Sequence, residues 1–197
     1  MKLVLLMLLE QLQNISNARK ENRQKVAVIV LNDKNLHQEL LKITFDVTNE
    51  LSIKAAWILE WICTHHSLLI VIENLEQFTT NLKRLRFDSA IRPCAKICEQ
   101  LAIAFFDKKN DLITQHLSET TKKQLIETGF DWLMTNQKIA VKAYTMHTLF
   151  LFGKEQKWIH EELKYLIKTK IIFESKGTKA RGKKVLNLIE KHQKSHI

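Results

Sequence analysis

The stretch SIKAAWILEW, residues 52–61, sets a lysine beside two alanines and two tryptophans at the point where a helix begins. A cation near a helix N-terminus opposes the macrodipole, at a cost of a few tenths to about 1 kcal/mol when exposed. The placement recurs. AIRPCAKICEQL (90–101), AVKAYTMHTL (140–149) and KARGKKVLNL (179–188) align with it on Lys54, Arg92, Lys142 and Arg181. Each has an aliphatic or small residue before the base and Ala, Pro, Ala or Gly directly after it. The bases are 38, 50 and 39 residues apart, and a degenerate earlier copy centres on Arg23 in KENRQKVAVIVL, 31 residues before Lys54. Such intervals suit a two-helix unit, with an insertion near 108–118 accounting for the long one. Small residues let the second helix of each unit approach its neighbours closely, and units that cannot bury their apolar faces alone stack.

Composition leads to the same class. One proline and four glycines in 197 residues argue against turn-rich β structure and for long helices on short loops. Apolar stripes at steps of three and four run through Cys94, Ile97, Cys98, Leu101 and Phe105, and through Ala140, Ala143, His147 and Phe150. The expected fold is all-α, an α–α superhelix of about ten or eleven helices in a single domain over 1–197. The spacing predicts helices at 3–13, 17–31, 35–48, 50–64, 67–85, 89–107, 109–117, 120–135, 138–152, 158–172 and 177–193. They group as a first helix, repeat units at about 17–48, 50–85, 89–135 and 138–172, and a basic C-terminal helix at 177–193. Gly153 is expected as a left-handed stop after TLFLF, and Asp88 or Ser89 as an N-cap that puts Pro93 in a first turn.

These residues resemble the HEAT-repeat α-solenoids, whose second helix opens with an acidic residue, Val-Arg and alanines. The likeness covers residues 17 to 193 and implies an architecture rather than an activity. IKAAWILEWIC, AIRPCAKICE and VKAYTMHTLFLFGKE also look like a group of small bacterial helical proteins that carry the label adenylosuccinate lyase. That family's catalytic loop is a Ser-Ser-x-Met-Pro-x-Lys-x-Asn pattern, and this chain has neither Ser-Ser nor Met-Pro. The label brings no catalytic residue with it.

The chain carries a formal +10, and the stretch from Lys164 to Lys194 holds ten basic residues against Glu174 and Glu190. Basic surfaces attract nucleic acids, anionic lipids and acidic proteins alike. In two units a carboxylate precedes the base by four residues, Glu50 before Lys54 and Asp88 before Arg92, so structural pairing is expected there. In the later units Lys138 precedes Lys142 and Gly177 precedes Arg181, with Lys179, Lys183 and Lys184 adding to the charge. Nothing nearby in sequence neutralises that group. The candidate binding residues are Lys54, Arg92, Lys138, Lys142, Lys179, Arg181, Lys183 and Lys184.

Other sites read as structural. Trp57 and Trp61, four apart in an apolar run, are core candidates; so are the thiols of Cys94 and Cys98, and His147 among apolar neighbours. HEAT-like glycosylases of alkylated bases set tryptophans beside a carboxylate, and Trp57, Glu60 and Trp61, or Asp131 and Trp132, supply those types without a diagnostic spacing. Neither a phosphate-cradling glycine loop, a Gly-x-Ser-x-Gly elbow nor a His-Glu-x-x-His motif occurs. No catalytic residue, metal or cofactor is assigned. Three cysteines in no disulfide framework point to the cytoplasm. The apolar run Leu3–Leu9 meets Glu10 with no cleavage site, which makes it a buried first helix rather than a signal, and no membrane partner is expected. The expected function is a non-catalytic scaffold binding a macromolecule, in first place a protein. Nucleic-acid binding related to base repair is the alternative, and lyase activity a third reading. Oligomeric state is left open.

Overall fold

The computed structural model describes residues 2–195, with side chains from residue 5 onward. Every regular element among the described residues is helical. Leu3 and Val4, part of the expected buried run, have side chains outside the described residues. Of the rest of that run Leu8 is sealed, whereas Leu6 and Met7 are exposed. The contacts divide the chain into two compact units, Met1–Ile97 and Cys98–Ile197.

The first unit holds α1 (Lys2–Gln13), α2 (Lys20–Asn32), α3 (Asn35–Thr44), α4 (Leu51–His65), the short α5 (Leu69–Ile72) and α6 (Leu75–Asn81), a 3-10 turn (Leu82–Arg84) and the start of α7 (Asp88–Phe106). Because α4 is apolar almost all round, it takes the centre, packing on α1, α2 and α3 with Ala55, Ala56, Ile58, Leu59 and Ile62 fully buried. α3 is amphipathic and buries one side only, through Leu36, Leu40, Leu41 and Ile43.

Two boundaries differ from expectation. The helix expected at 67–85 is broken at Asn74. There the carboxamide donates to the Ile70 carbonyl at 2.9 Å while the backbone N–H turns to Val71 at 3.1 Å. Ile70, Val71 and Ile72 are consecutive and all buried, which one face of a straight helix cannot achieve. α3 stops at Thr44 rather than at 48, because Asp46 accepts from both the amide and the hydroxyl of Thr48 in a local turn. The same two bonds, the hydroxyl's foremost, hold the Asp46 carboxyl below its ordinary range.

Pro93 also lies deeper than expected. α7 begins at Asp88, so the proline sits inside the helix beyond its first turn. With no N–H, it leaves the Ser89 carbonyl without its helical donor. The Trp57 indole N–H on α4 donates to that carbonyl at 3.2 Å. A helix-breaking residue on one element is thereby matched by a side chain on another.

The second unit holds the rest of α7, then α8 (Asp111–His116), α9 (Glu119–Met134), α10 (Ile139–Phe152), α11 (Lys157–Leu166), a π turn (Ile167–Ile171), α12 (Ile172–Glu174) and α13 (Lys176–Lys194). α10, apolar like α4, packs on α9, α11 and α13. Side chains start three of these helices. Asn110 caps α8, Ser118 caps α9, and Ser175 forms a capping box with Thr178 on α13. The expected close approach is seen at Gly182 of α13, where a Cβ would lie 2.9 Å from Ile167.

Gly153 has another role than the one expected. Its φ of −64° is right-handed, so no left-handed stop exists there. A Cβ at this position would instead lie 2.0 Å from the Cδ2 of His160, so only glycine admits the imidazole.

The Pro93–Trp57 pairing yields a double-mutant cycle. Trp57→Phe should cost about 0.5 to 1 kcal/mol more in wild type than in Pro93→Ala, where the restored N–H serves Ser89. Urea unfolding of the four proteins measures that coupling, and strictly additive effects would refute it.

Candidate functional site

The lysine of the opening stretch serves a helix other than its own. Lys54 Nζ donates to the Gln13 carbonyl at 3.0 Å, at the C-terminal residue of α1. A cation unfavourably placed on α4 is well placed against the carbonyl end of α1. Its expected pairing with Glu50 is absent among the described residues, and so is that of Asp88 with half-buried Arg92. Lys170 repeats the device, its ammonium on the Met134 carbonyl at the end of α9.

Lys142 and Arg181 do have neutralising acids, far away in sequence. The Lys142 side chain is 2% exposed and its Nζ is 2.5 Å from Glu174 Oε1. Arg181 donates to Glu99 Oε1 at 3.2 Å and to the Ala143 carbonyl at 3.3 Å. The same Glu99 oxygen bonds His147 Nδ1 at 2.8 Å, so His147 belongs to a polar cluster rather than to the apolar core. These pairs join residues 32, 82 and 48 positions apart. Local charge patterning carries no sign of them.

Glu60 plays the corresponding part in the first unit. Its side chain is 2% exposed and binds Arg23 at 3.0 Å, Lys96, and the Thr64 hydroxyl at 3.0 Å. Arg23 also lies over the Trp61 ring, 4.6 Å from its centroid. The carboxylate flanked by Trp57 and Trp61 is thus enclosed by its own cations. In the second unit Lys122 bonds Glu155 at 3.0 Å and Glu119 at 3.1 Å. Burial acts to lower the Lys122 pKa, but the bonds from Glu155 and Glu119 outweigh it and raise the net value.

What remains open lies on α13. Thr178, Gly182, Val185 and Ile189 form its buried face. Lys176, Lys179, Lys183 and Lys184 are exposed, as is Lys138 at the start of α10. A cavity of about 450 Å³ lies between these starts, lined by Gln137, Lys138, Lys142, Lys170 and Glu174 among others. The structure therefore sorts the eight candidate cations. Lys142 is buried, Arg181, Lys54 and Lys138 are engaged, Lys138 while exposed, and Arg92 is half-buried, while Lys179, Lys183 and Lys184 face outward.

Trp61 and Trp132 are buried and Trp57 is half-buried, but Trp158 is 51% exposed. Cys63, Cys94 and Cys98 are buried and in no disulfide among the described residues. Burial pushes the Cys94 thiol up to about 12 and, with Cys94 and Glu60 nearby, raises Cys63 further. Sequence reasoning missed His160. It is 2% exposed, and its Nε2 donates to the Phe150 carbonyl at 2.8 Å near the end of α10. Burial foremost, and Lys164 and Lys154 in addition, depress its pKa, so it is held neutral. The one sequence signal for it is Gly153, seven residues earlier, which reads equally well as a helix stop. Among the described residues no three His, Cys, Asp or Glu side chains converge on a metal position, and no helix is long and apolar enough to cross a membrane.

No protein family, curated protein or solved structure matches the chain.

Two outcomes follow for stability. Glu60→Ala leaves two cations facing an apolar interior and should cost about 3 kcal/mol or more, readable as a lowered urea midpoint. Because the His160 pKa is depressed, the unfolded chain takes up its proton first. Stability is therefore full above about 6.5 and is lost as pH falls through the folded value. His160→Gln, which keeps a donor to Phe150, should flatten that limb of a Tm-against-pH curve. An unchanged limb would remove His160 as its source.

Proposed function

We propose that the chain is a non-catalytic, HEAT-like scaffold that binds an acidic protein segment along the lysine face of α13. The observation that carries this reading is the exposed set Lys176, Lys179, Lys183 and Lys184, set opposite the buried face of that helix. Of the two acids next in sequence, Glu174 is turned to Lys142, and Glu190 stands exposed a turn and more beyond Lys184 on α13. The HEAT-like part is supported within each unit by a central apolar helix, by the glycine and alanine contacts, and by ion pairs joining residues 32 to 37 positions apart.

The chemistry of the face favours carboxylates over nucleic acid. Arginine's planar fork fits carboxylate and phosphate alike but is also the residue of choice for nucleic-acid recognition, a role that lysine, a point charge on a flexible stem, fills less specifically. The one arginine of α13, Arg181, is held by Glu99. No tryptophan, tyrosine or phenylalanine stands on α13 to stack on a base. Three thiols outside any disulfide among the described residues fit a reducing compartment.

Fluorescence anisotropy with a labelled Glu/Asp-rich peptide tests the reading, with a short DNA duplex as competitor. Peptide binding should weaken with salt and fall about tenfold or more in Lys179→Glu/Lys183→Glu/Lys184→Glu, at a few tenths to 1 kcal/mol per exposed pair. Tighter binding of the duplex would replace this function with nucleic-acid binding. Binding of neither, or turnover of adenylosuccinate, would overturn it.

A further inference from the structure

The helical segment from Lys157 to Glu174 exposes three aromatic side chains, Trp158 at 51%, Tyr165 at 60% and Phe173 at 76%. Trp158 and Tyr165 are seven residues apart, two turns of an α-helix. Tyr165 and Phe173 are eight apart, which in an unbroken α-helix would rotate the second ring by about 80°. The π turn Ile167–Ile171 takes up the extra residue, so eight positions through it cover the same two turns. All three rings therefore stand on one side, opposite the buried Ile159, Leu163, Ile167 and Ile171. On α9, Phe130 stacks on Trp158 with centroids 5.8 Å apart, and Met134 is 52% exposed.

The charges on this face reverse sign about Tyr165. Glu162 stands three residues before it and Lys168 three after, both exposed, and neither has an ion-pair partner among the described residues. Glu161 stands four before. Lys170 stands five after, which the π turn reduces to an α-helical four, but it is held on the Met134 carbonyl and Glu161 lies 3.9 Å from Lys157, so Glu162 and Lys168 carry the complementarity. Trp158 and Phe173 lie two turns to either side. Lys157 and Glu174 are also equidistant, but Glu174 is engaged by Lys142. Lys164 lies on the flank, beside the cavity of His160.

We infer that this face binds the same face of a second copy of the chain, antiparallel, with Tyr165 on the two-fold axis. In that arrangement Trp158 meets the partner's Phe173 and Glu162 meets the partner's Lys168, each contact made twice. An isologous interface needs a surface complementary to itself, and reversal of charge about a central ring supplies that. Aromatic anchors with a polar rim supply the rest. The face is about 27 Å long and 10 Å wide by helix dimensions, well short of the roughly 800 Å² per partner of a standard interface. The dimer is accordingly weak, micromolar or above, and dissociates on dilution. Nothing in it uses the α13 lysines, so either interaction can fail alone.

Sedimentation velocity of the full chain from micromolar to millimolar concentration tests this. The weight-average mass should rise from monomer towards dimer. Glu162→Lys or Lys168→Glu alone should weaken association about tenfold, with circular dichroism unchanged because both positions are exposed. An equimolar mixture of the two variants opposes unlike charges at every contact and should associate again. A mass that stays monomeric throughout, or an association indifferent to these reversals, would overturn the inference.

Discussion

A carboxylate sealed from water has to meet cations, and Glu60 meets that demand by drawing Arg23 from α2 and Lys96 from α7 onto α4. An unpaired charge in that position would be worth several kcal/mol against folding, a large part of the stability of an ordinary domain. Apolar contact tolerates sliding by a fraction of a turn, whereas an ion pair of this kind tolerates little. The second unit obeys the same constraint with the signs exchanged, since Lys142 is the sealed charge and Glu174 comes to it. In each unit the helix that is apolar almost all round also carries the most deeply buried charge, and neighbouring helices supply its partners.

This division of labour separates cations that hold the fold from cations that face solvent. Lys54, Lys142 and Arg181 align in sequence, yet they terminate a helix, fill a buried pair and complete a cluster with Glu99 and His147. The outward lysines of α13 make none of these contacts. The count of basic residues overstates the number of cations open to solvent, because several are engaged by acids or helix ends.

Helix positions were legible because period and breakers are local properties. The ends of α1, α4 and α10 lie within a residue or two of where the spacing predicts them. The interruption at Asn74 and the π turn at Ile167–Ile171 were not legible, for both arise from demands of burial that only packing imposes. The partners of the aligned cations Lys142 and Arg181 were hidden for the same reason, lying 32 and 82 residues off. Pro93 and Gly153 were visible as residues and misread as punctuation. One creates an acceptor for Trp57 and the other makes room for a histidine. The exposed ring of Trp158 was hidden behind its type, since tryptophan in a helical run is usually core.

The buried thiols of Cys63 and Cys94 have a consequence for handling the protein. Only a thiolate reacts with maleimides or oxidants, and a sulfur raised to about 12 and shut from solvent offers almost none at neutral pH. Alkylation must therefore wait for α4 or α7 to loosen. The labelling rate of these native cysteines is a built-in clock for opening of the first unit, with no probe to engineer.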